Sequence, residues 1–134
     1  MRSFYVIGND GKLKAKQVSE IIKNLIKESG GKCYTVSGYT ERGNIPEDVD
    51  CIITLGGDGT LLKAAGEVAG LGIPLIGVNL GHLGFLTSVG YDNDINNIKD
   101  MLLKLFEGRF TIEDRMMLEG CKCGPSEERK FLAL

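Results

Sequence analysis

The sequence predicts an α/β fold: a doubly wound, mostly parallel sheet with flanking helices. Three observations carry that expectation. The runs Phe4–Gly8, Ile52–Leu55 and Pro74–Val78 are apolar along their length instead of alternating, as strands covered on both faces are. Stretches with apolar residues at helical spacing lie between them, and strands alternating with helices argue parallel pairing through right-handed crossovers. Glycine-rich turns follow the strands where a sheet would hand over to a helix.

The elements follow in order. Phe4–Gly8 reads as the first strand, ended by a turn at Asn9-Asp10-Gly11. Val18, Ile21, Ile22, Leu25 and Ile26 then form one apolar helical stripe, with Lys23, Lys27 and Glu28 facing away from it. Gly30-Gly31 stops that helix. Lys32–Val36 reads as a second strand and Ser37–Asp50 as a polar loop. The third strand runs into Gly56-Gly57-Asp58-Gly59-Thr60, followed by a small-residue helix over Leu61–Ala69 that Gly70-Leu71-Gly72 breaks. Pro74–Val78 is the fourth strand, and a second glycine loop, Gly81-His82-Leu83-Gly84-Phe85, comes after it. Asp92-Asn93-Asp94 offers an N-cap. Ile95, Ile98, Met101, Leu102, Leu105 and Phe106 mark a last helix closed by Gly108. Residues 1–108 are thus expected to be the α/β domain.

Residues 109–134 behave differently. Arg109–Leu118 alternates in part, Gly120–Lys130 is polar, and Phe131–Leu134 is apolar. The chain ends inside that apolar run, which reads as a truncated connection into a further domain.

Composition narrows the function classes. A chain of 134 residues with 18 acidic and 16 basic side chains is near neutral, without the basic block that tracks nucleic acid. No stretch approaches the length that spans a bilayer, and the amino end reads as a strand and not as a signal peptide. A soluble, cytoplasmic protein is expected. Cys33 and Cys51 lie in strand-like runs and read as reduced core residues, in keeping with a reducing compartment. Cys121 and Cys123 form a C-x-C pair, but a zinc site needs about four ligands, and the only histidine is His82.

Two glycine loops at the same end of a parallel sheet would face one ligand, a phosphate or nucleotide. Neither standard nucleotide loop is present. No segment fits the P-loop pattern. Gly57-Asp58-Gly59 begins a Rossmann fingerprint, but Leu62 stands where its third glycine belongs. What remains is an acid beside backbone N–H groups and a helix N-terminus near Thr60. Glycines let a phosphate or ribose approach the main chain, and the helix end favours anions. Asp58 can accept a proton from an attacking hydroxyl or help hold a divalent cation; capping the helix is the competing role. With an ordinary pKa of about 3.9 it is a weak base, suited to orienting a hydroxyl and taking its proton late.

Other residues have two readings each. Lys63, one turn into the helix, reaches a phosphate or stays solvated. His82 donates to ribose or phosphate, or to backbone. Phe85 packs on a base or into the core. Asn79 touches ligand or holds the loop. Asp10 and Glu41 have no partner in the sequence and read as solvated.

The loop Gly56–Thr60, with the strand before it, resembles the glycine-aspartate signature shared by NAD kinases, diacylglycerol and sphingosine kinases and 6-phosphofructokinases. The second loop, Gly77-Val78-Asn79-Leu80-Gly81-His82-Leu83-Gly84-Phe85-Leu86, is similar to the NAD kinase pattern. Glu113–Leu118 also resembles that family's segment leading into its second domain. The resemblance implies phosphoryl transfer from ATP, or inorganic polyphosphate, to the 2′-hydroxyl of the adenosine ribose of NAD, with magnesium or manganese. It implies that Asp58 activates that hydroxyl and that Gly59 offers a backbone contact to the dinucleotide. Leu83, Gly84 and Phe85 would wall the adenine, while Gly56, Gly57 and Thr60 shape the phosphate side. Lys63 assists, and Leu62, Asn79 and His82 complete the binding set. No protein side chain is assigned as a metal ligand. The family continues with an Asn-Glu pair and a β-rich domain that carries further NAD contacts and much of the oligomer interface. This chain is therefore expected to be inactive alone, within a homo-oligomeric enzyme. A lipid kinase and a non-catalytic nucleotide-binding module are the alternatives.

Overall fold

The computed structural model describes residues 1–8, 13–37, 45–68, 70–80, 89–90, 95–109, 114–118 and 129–133. The turn at Asn9-Asp10-Gly11, the N-cap at Asp92-Asn93-Asp94, and residues Glu41, Cys121 and Cys123 lie outside them.

Five parallel strands make the main sheet: β1 (Ser3–Gly8), β2 (Lys32–Ser37), β3 (Cys51–Gly56), β4 (Leu75–Asn79) and β5 (Val89–Gly90). Their order is β2-β1-β3-β4-β5. The helices are α1 (Leu13–Glu28), α2 (Asp58–Glu67) and α3 (Ile95–Glu107). The expected α/β class, with its parallel sheet, is what the chain forms.

Successive side chains of a strand point to opposite faces, and here both faces are covered. Phe4, Val6, Ile53, Leu55 and Val78 pack with Val18, Ile22 and Ile26 of α1 and with Ile98, Met101, Leu102 and Leu105 of α3. Tyr5, Ile7, Ile52 and Leu75 pack instead with Leu61, Ala64, Ala65 and Val68, on the α2 side. The uninterrupted apolar runs follow from this arrangement. The sheet is doubly wound.

Both long helices end in the same way. Gly30 takes φ +84; its N–H reaches Lys27 O, and Gly31 N–H reaches Ile26 O at 2.9 Å. Gly108, at φ +75, does the same after α3, with Arg109 N–H on Lys104 O at 2.9 Å. These are the paired bonds of a Schellman ending, which needs the left-handed conformation glycine adopts without cost. Gly31 is also sterically confined. A Cβ there would stand 2.7 Å from Arg2 O, 2.9 Å from Ile26 Cγ2 and 3.1 Å from Phe106 Cε1. Around it, Phe106 meets Phe4 edge-on at 5.5 Å and carries the Arg2 guanidinium over its ring at 5.4 Å.

Three departures from the sequence expectation are local. α2 begins at Asp58, three residues before the expected start at Leu61, because Gly57 serves as its N-cap. β5, only two residues long, has no periodicity to announce it. The tail forms β6 (Asp114–Leu118) and β7 (Arg129–Ala133), an antiparallel pair separate from the main sheet. β7 lies beside α2 and β4.

At the opposite end of the sheet from the glycine loop, the Asp50 carboxylate accepts N–H bonds from Arg2 at 2.8 Å and Ser3 at 3.1 Å. The Arg2 bond, the largest cause, holds its pKa below the usual carboxylate value; burial, next in size, opposes it, and the Ser3 bond and the terminal ammonium add to the lowering. A carboxylate depressed in the folded state adds stability above its unfolded pKa of about 4, and that stability is lost as pH falls through the folded value. Asp50→Asn is therefore expected to flatten the acid limb of the stability curve, measured by urea unfolding from pH 7 downward. An unchanged acid limb would contradict it.

Cys51 is buried and Cys33 half-buried, both as free thiols. Burial, the largest cause in each case, pushes Cys51 up to about 12 and Cys33 to about 11, the latter against Lys23 and Lys27. Both stay protonated near neutrality, so neither is a nucleophile.

Thr54, on the α2 face of β3, is 1% exposed, and among the described residues its Oγ1 has no hydrogen-bond partner. An unpartnered buried hydroxyl costs about 1–3 kcal/mol. Thr54→Val is expected to raise unfolding stability by about 1 kcal/mol; a loss of stability in urea titration would show that the hydroxyl is satisfied.

Candidate active site

In a doubly wound sheet of order 2-1-3-4-5, neighbouring crossovers diverge between the strands β1 and β3, and ligands bind outside the carboxyl ends there. β1 ends at Gly8, paired in register with Leu55. β3 ends one residue later at Gly56, so the glycine-aspartate loop opens at this switch point.

The geometry of that loop follows from its residues. Ile52 and Leu55 are buried and anchor β3 from opposite faces. Gly57 turns the chain with φ −145 and ψ −162 and caps α2 without a side-chain hydrogen bond. The first intrahelical bond of this end is Leu61 N–H to Gly57 O at 3.2 Å. The N–H groups of Asp58, Gly59 and Thr60 precede it and have no intrahelical acceptor. They define the positive end of the helix dipole.

Asp58 is not the N-cap but the first residue of α2, and it is half-buried. The capping role is therefore overturned: Gly57 occupies that place. Asp58 instead lies in the first turn, where its negative charge is favoured by the dipole.

Among the described residues, nothing packs so closely that it requires Gly57 or Gly59 to lack a side chain. A Cβ added at either would meet nothing within 4 Å, and neither takes a positive φ. Among the described residues, the space above both is open. Leu61, Ala64 and Ala65 form the buried face of α2; two of these three are small, which lets the helix lie close on the sheet. Leu62 and Lys63 are on its exposed side.

Asn79 joins this site from β4. It is 3% exposed, in register with Gly56, and Leu80 N–H donates to Gly56 O at 2.9 Å. The ends of β3 and β4 are thus level with each other. Asp58, Lys63 and Asn79 each have a polar partner within the chain. Of the residues expected to bind nucleotide, the structure brings together Gly56, Gly57, Asp58, Gly59, Thr60 and Asn79, with Leu62 and Lys63 one turn along α2. His82, Leu83, Gly84 and Phe85 lie outside the described residues.

Sequence reasoning missed two contributors. Gly8, at the end of β1, flanks the switch point, which only the strand order reveals. Asn97 of α3 donates through Nδ2 to Gly90 O at 3.1 Å, holding the strand beside Asn79; an exposed helical Asn gives no such signal. Among the described residues, no group of three or more His, Cys, Asp or Glu side chains is placed to hold a metal ion, and no helix is long and apolar enough to cross a membrane.

Strand order, helix placement and an acid-bearing glycine loop at the switch point together define a doubly wound α/β domain. Residues 14–110 match the family model described as the ATP-NAD kinase N-terminal domain, and the chain belongs to that family. It is 36% identical over 125 residues to the NAD kinase of Lachnoclostridium phytofermentans, covering 89% of this chain and 42% of that protein. A Thermoanaerobacter NAD kinase is 40% identical over 129 residues, 89% of this chain and 44% of the relative. That of Agathobacter rectalis is 36% identical over 140 residues, 98% and 48% respectively. The crystal structure of yeast NADH kinase complexed with NADH superposes with a TM-score of 0.61 at 19% identity, over 98% of this chain and 46% of the other, and shares the fold. The chain spans about half the length of the curated relatives it matches.

Proposed function

We propose that the complete gene product carrying this chain phosphorylates NAD to NADP. The γ-phosphoryl group of ATP, or the terminal one of inorganic polyphosphate, passes to the 2′-hydroxyl of the adenosine ribose. The observation that carries this reading is the placement of Asp58 in the first turn of α2, between two glycines where, among the described residues, a Cβ would meet nothing within 4 Å. The family membership supports NAD as the acceptor.

In this reading Asp58 orients the 2′-hydroxyl and accepts its proton as the new O–P bond forms and the bond to the leaving ADP breaks. Phosphoryl transfer depends on positioning and charge stabilisation more than on a strong base. The N–H groups of Gly59 and Thr60 face developing negative charge at the helix end. Gly56 and Gly57 admit the phosphates, with Lys63 and Leu62 at the rim. Asn79 holds the end of β4. His82, Leu83, Gly84 and Phe85 meet the ribose and adenine. Magnesium or manganese would enter with the donor's phosphates and retain much of its own water.

The reading extends to a cytoplasmic homo-oligomer with no nucleic-acid or membrane partner, in which residues 109–134 lead into a second domain. The 134-residue chain alone is expected to show little turnover, because positioning supplies most of the catalysis. The test is NADP formation by the complete gene product from NAD, ATP and magnesium, beside diacylglycerol as acceptor. Turnover with NAD is the expected result. Saturable NAD binding without transfer, or preference for the lipid, would overturn it.

A further inference from the structure

We propose that Asn97, outside the site, is a positioning residue for dinucleotide binding, acting through the carbonyl of Gly90. This rests on the NAD-binding reading above. At the carboxyl end of the sheet three residues stand in one row: Gly56 pairs with Asn79, and Asn79 with Gly90. The row runs from the glycine-aspartate loop to the sheet edge. Its inner half is well held, by the β3–β4 ladder and by Leu80 N–H on Gly56 O at 2.9 Å.

Its outer half is not. β5 has two residues and two register pairs, Val78 with Val89 and Asn79 with Gly90. So short a strand at an edge is a low-stability element by itself. Beyond the packing of Val89 against the core, a side-chain tie among the described residues is the Asn97 Nδ2 bond to Gly90 O at 3.1 Å, which fixes β5 to α3. α3 is in turn seated in the core by Ile98, Met101, Leu102 and Leu105. Asn97 therefore transfers the rigidity of a packed helix to the weakest strand of the row.

Asn97 is the third residue of α3, whose first turn contains no acid. This allows a substitution that separates the two roles available to it. Asn97→Asp keeps the shape and places a negative charge at a helix N-terminus, where it stabilises. It also replaces the N–H donor with an oxygen facing the Gly90 carbonyl. A purely helix-supporting role predicts unchanged or better folding and unchanged kinetics. The positioning role predicts a KM for NAD raised about three- to tenfold, the factor one lost hydrogen bond carries, with kcat and the KM for ATP near wild type. Asn97→Ala tests the same bond without a new charge, and its KM is expected between wild type and Asn97→Asp.

The experiment measures kcat and both KM values for the complete gene product and the two variants, well below their unfolding temperatures. Calorimetry of NAD binding serves as the second readout. An NAD-specific rise in KM and Kd, larger for Asp than for Ala, supports the proposal. An unchanged KM for NAD in Asn97→Asp overturns it, as does a loss confined to kcat or shared equally by ATP. A wild-type protein that makes no NADP yet binds NAD would fail the functional reading alone, and the calorimetric comparison would still decide the role of Asn97.

Discussion

Replacing Asp58 by Asn in the complete gene product is expected to reduce kcat for NADP formation by about 10²–10⁴-fold, the range typical of a lost proton acceptor. The KM for NAD should change far less, since Asn retains the side chain's shape and one acceptor oxygen. Stability should fall by no more than about 1 kcal/mol, the worth of an acidic side chain in the first turn of a helix. The two quantities separate the roles open to Asp58. An acid that only supports α2 would register in thermal unfolding and leave turnover almost intact. An acid that handles the 2′-hydroxyl proton would do the reverse. Near-wild-type turnover by Asp58→Asn would remove it from the mechanism.

The second large effect is a contrast between two glycines. Gly31→Ala forces a Cβ to 2.7 Å from the Arg2 carbonyl oxygen, which already accepts from Lys32 N–H at 2.8 Å. Backbone cannot yield there as a flexible side chain would, and Ile26 and Phe106 close the other directions. Overpacking of this kind costs about 1–3 kcal/mol, and the upper end is expected here. Gly59→Ala meets nothing within 4 Å among the described residues and replaces a poor helix former inside α2, so stability should stay level or rise by up to about 1 kcal/mol. Activity should move the other way: the methyl group occupies the open side of the loop, and kcat/KM for NAD is expected to drop about 10- to 100-fold. Urea unfolding and steady-state kinetics on both variants check the pair. Equal stability losses, or an active Gly59→Ala, would show that the open side is not where substrate approaches.

Much of this was legible in the residues, and the reasons are physical. Ile52–Leu55 and Leu75–Val78 announced strands covered on both faces because α1 and α3 cover one face and α2 the other. Gly30 and Gly108 announced helix ends because the left-handed turn that closes a helix selects for glycine. Asp58 was legible as a candidate because an acid between glycines after a buried strand has few structural uses.

Other features leave no such trace. Periodicity reports which face a residue occupies, not which strand is its neighbour, so the order β2-β1-β3-β4-β5 and the flanking place of Gly8 emerged only in three dimensions. The start of α2 was placed too late because Gly-Asp-Gly reads as a breaker by propensity. At a helix N-terminus that penalty is small, since the first N–H groups have no intrahelical acceptor in any case. β5 is too short for a pattern. Asn97 was invisible because its partner is a backbone carbonyl, which every residue has.

The central claim is that this fold serves phosphoryl transfer to NAD, and one measurement addresses it most directly. The complete gene product is incubated with NAD, magnesium and ATP labelled in its γ-phosphate, and the labelled product is located by chromatography and phosphorus NMR. Label is expected in NADP, on the 2′-oxygen of the adenosine ribose, in proportion to ADP formed. Label found only in inorganic phosphate, or on another acceptor with NAD left unmodified, would contradict it.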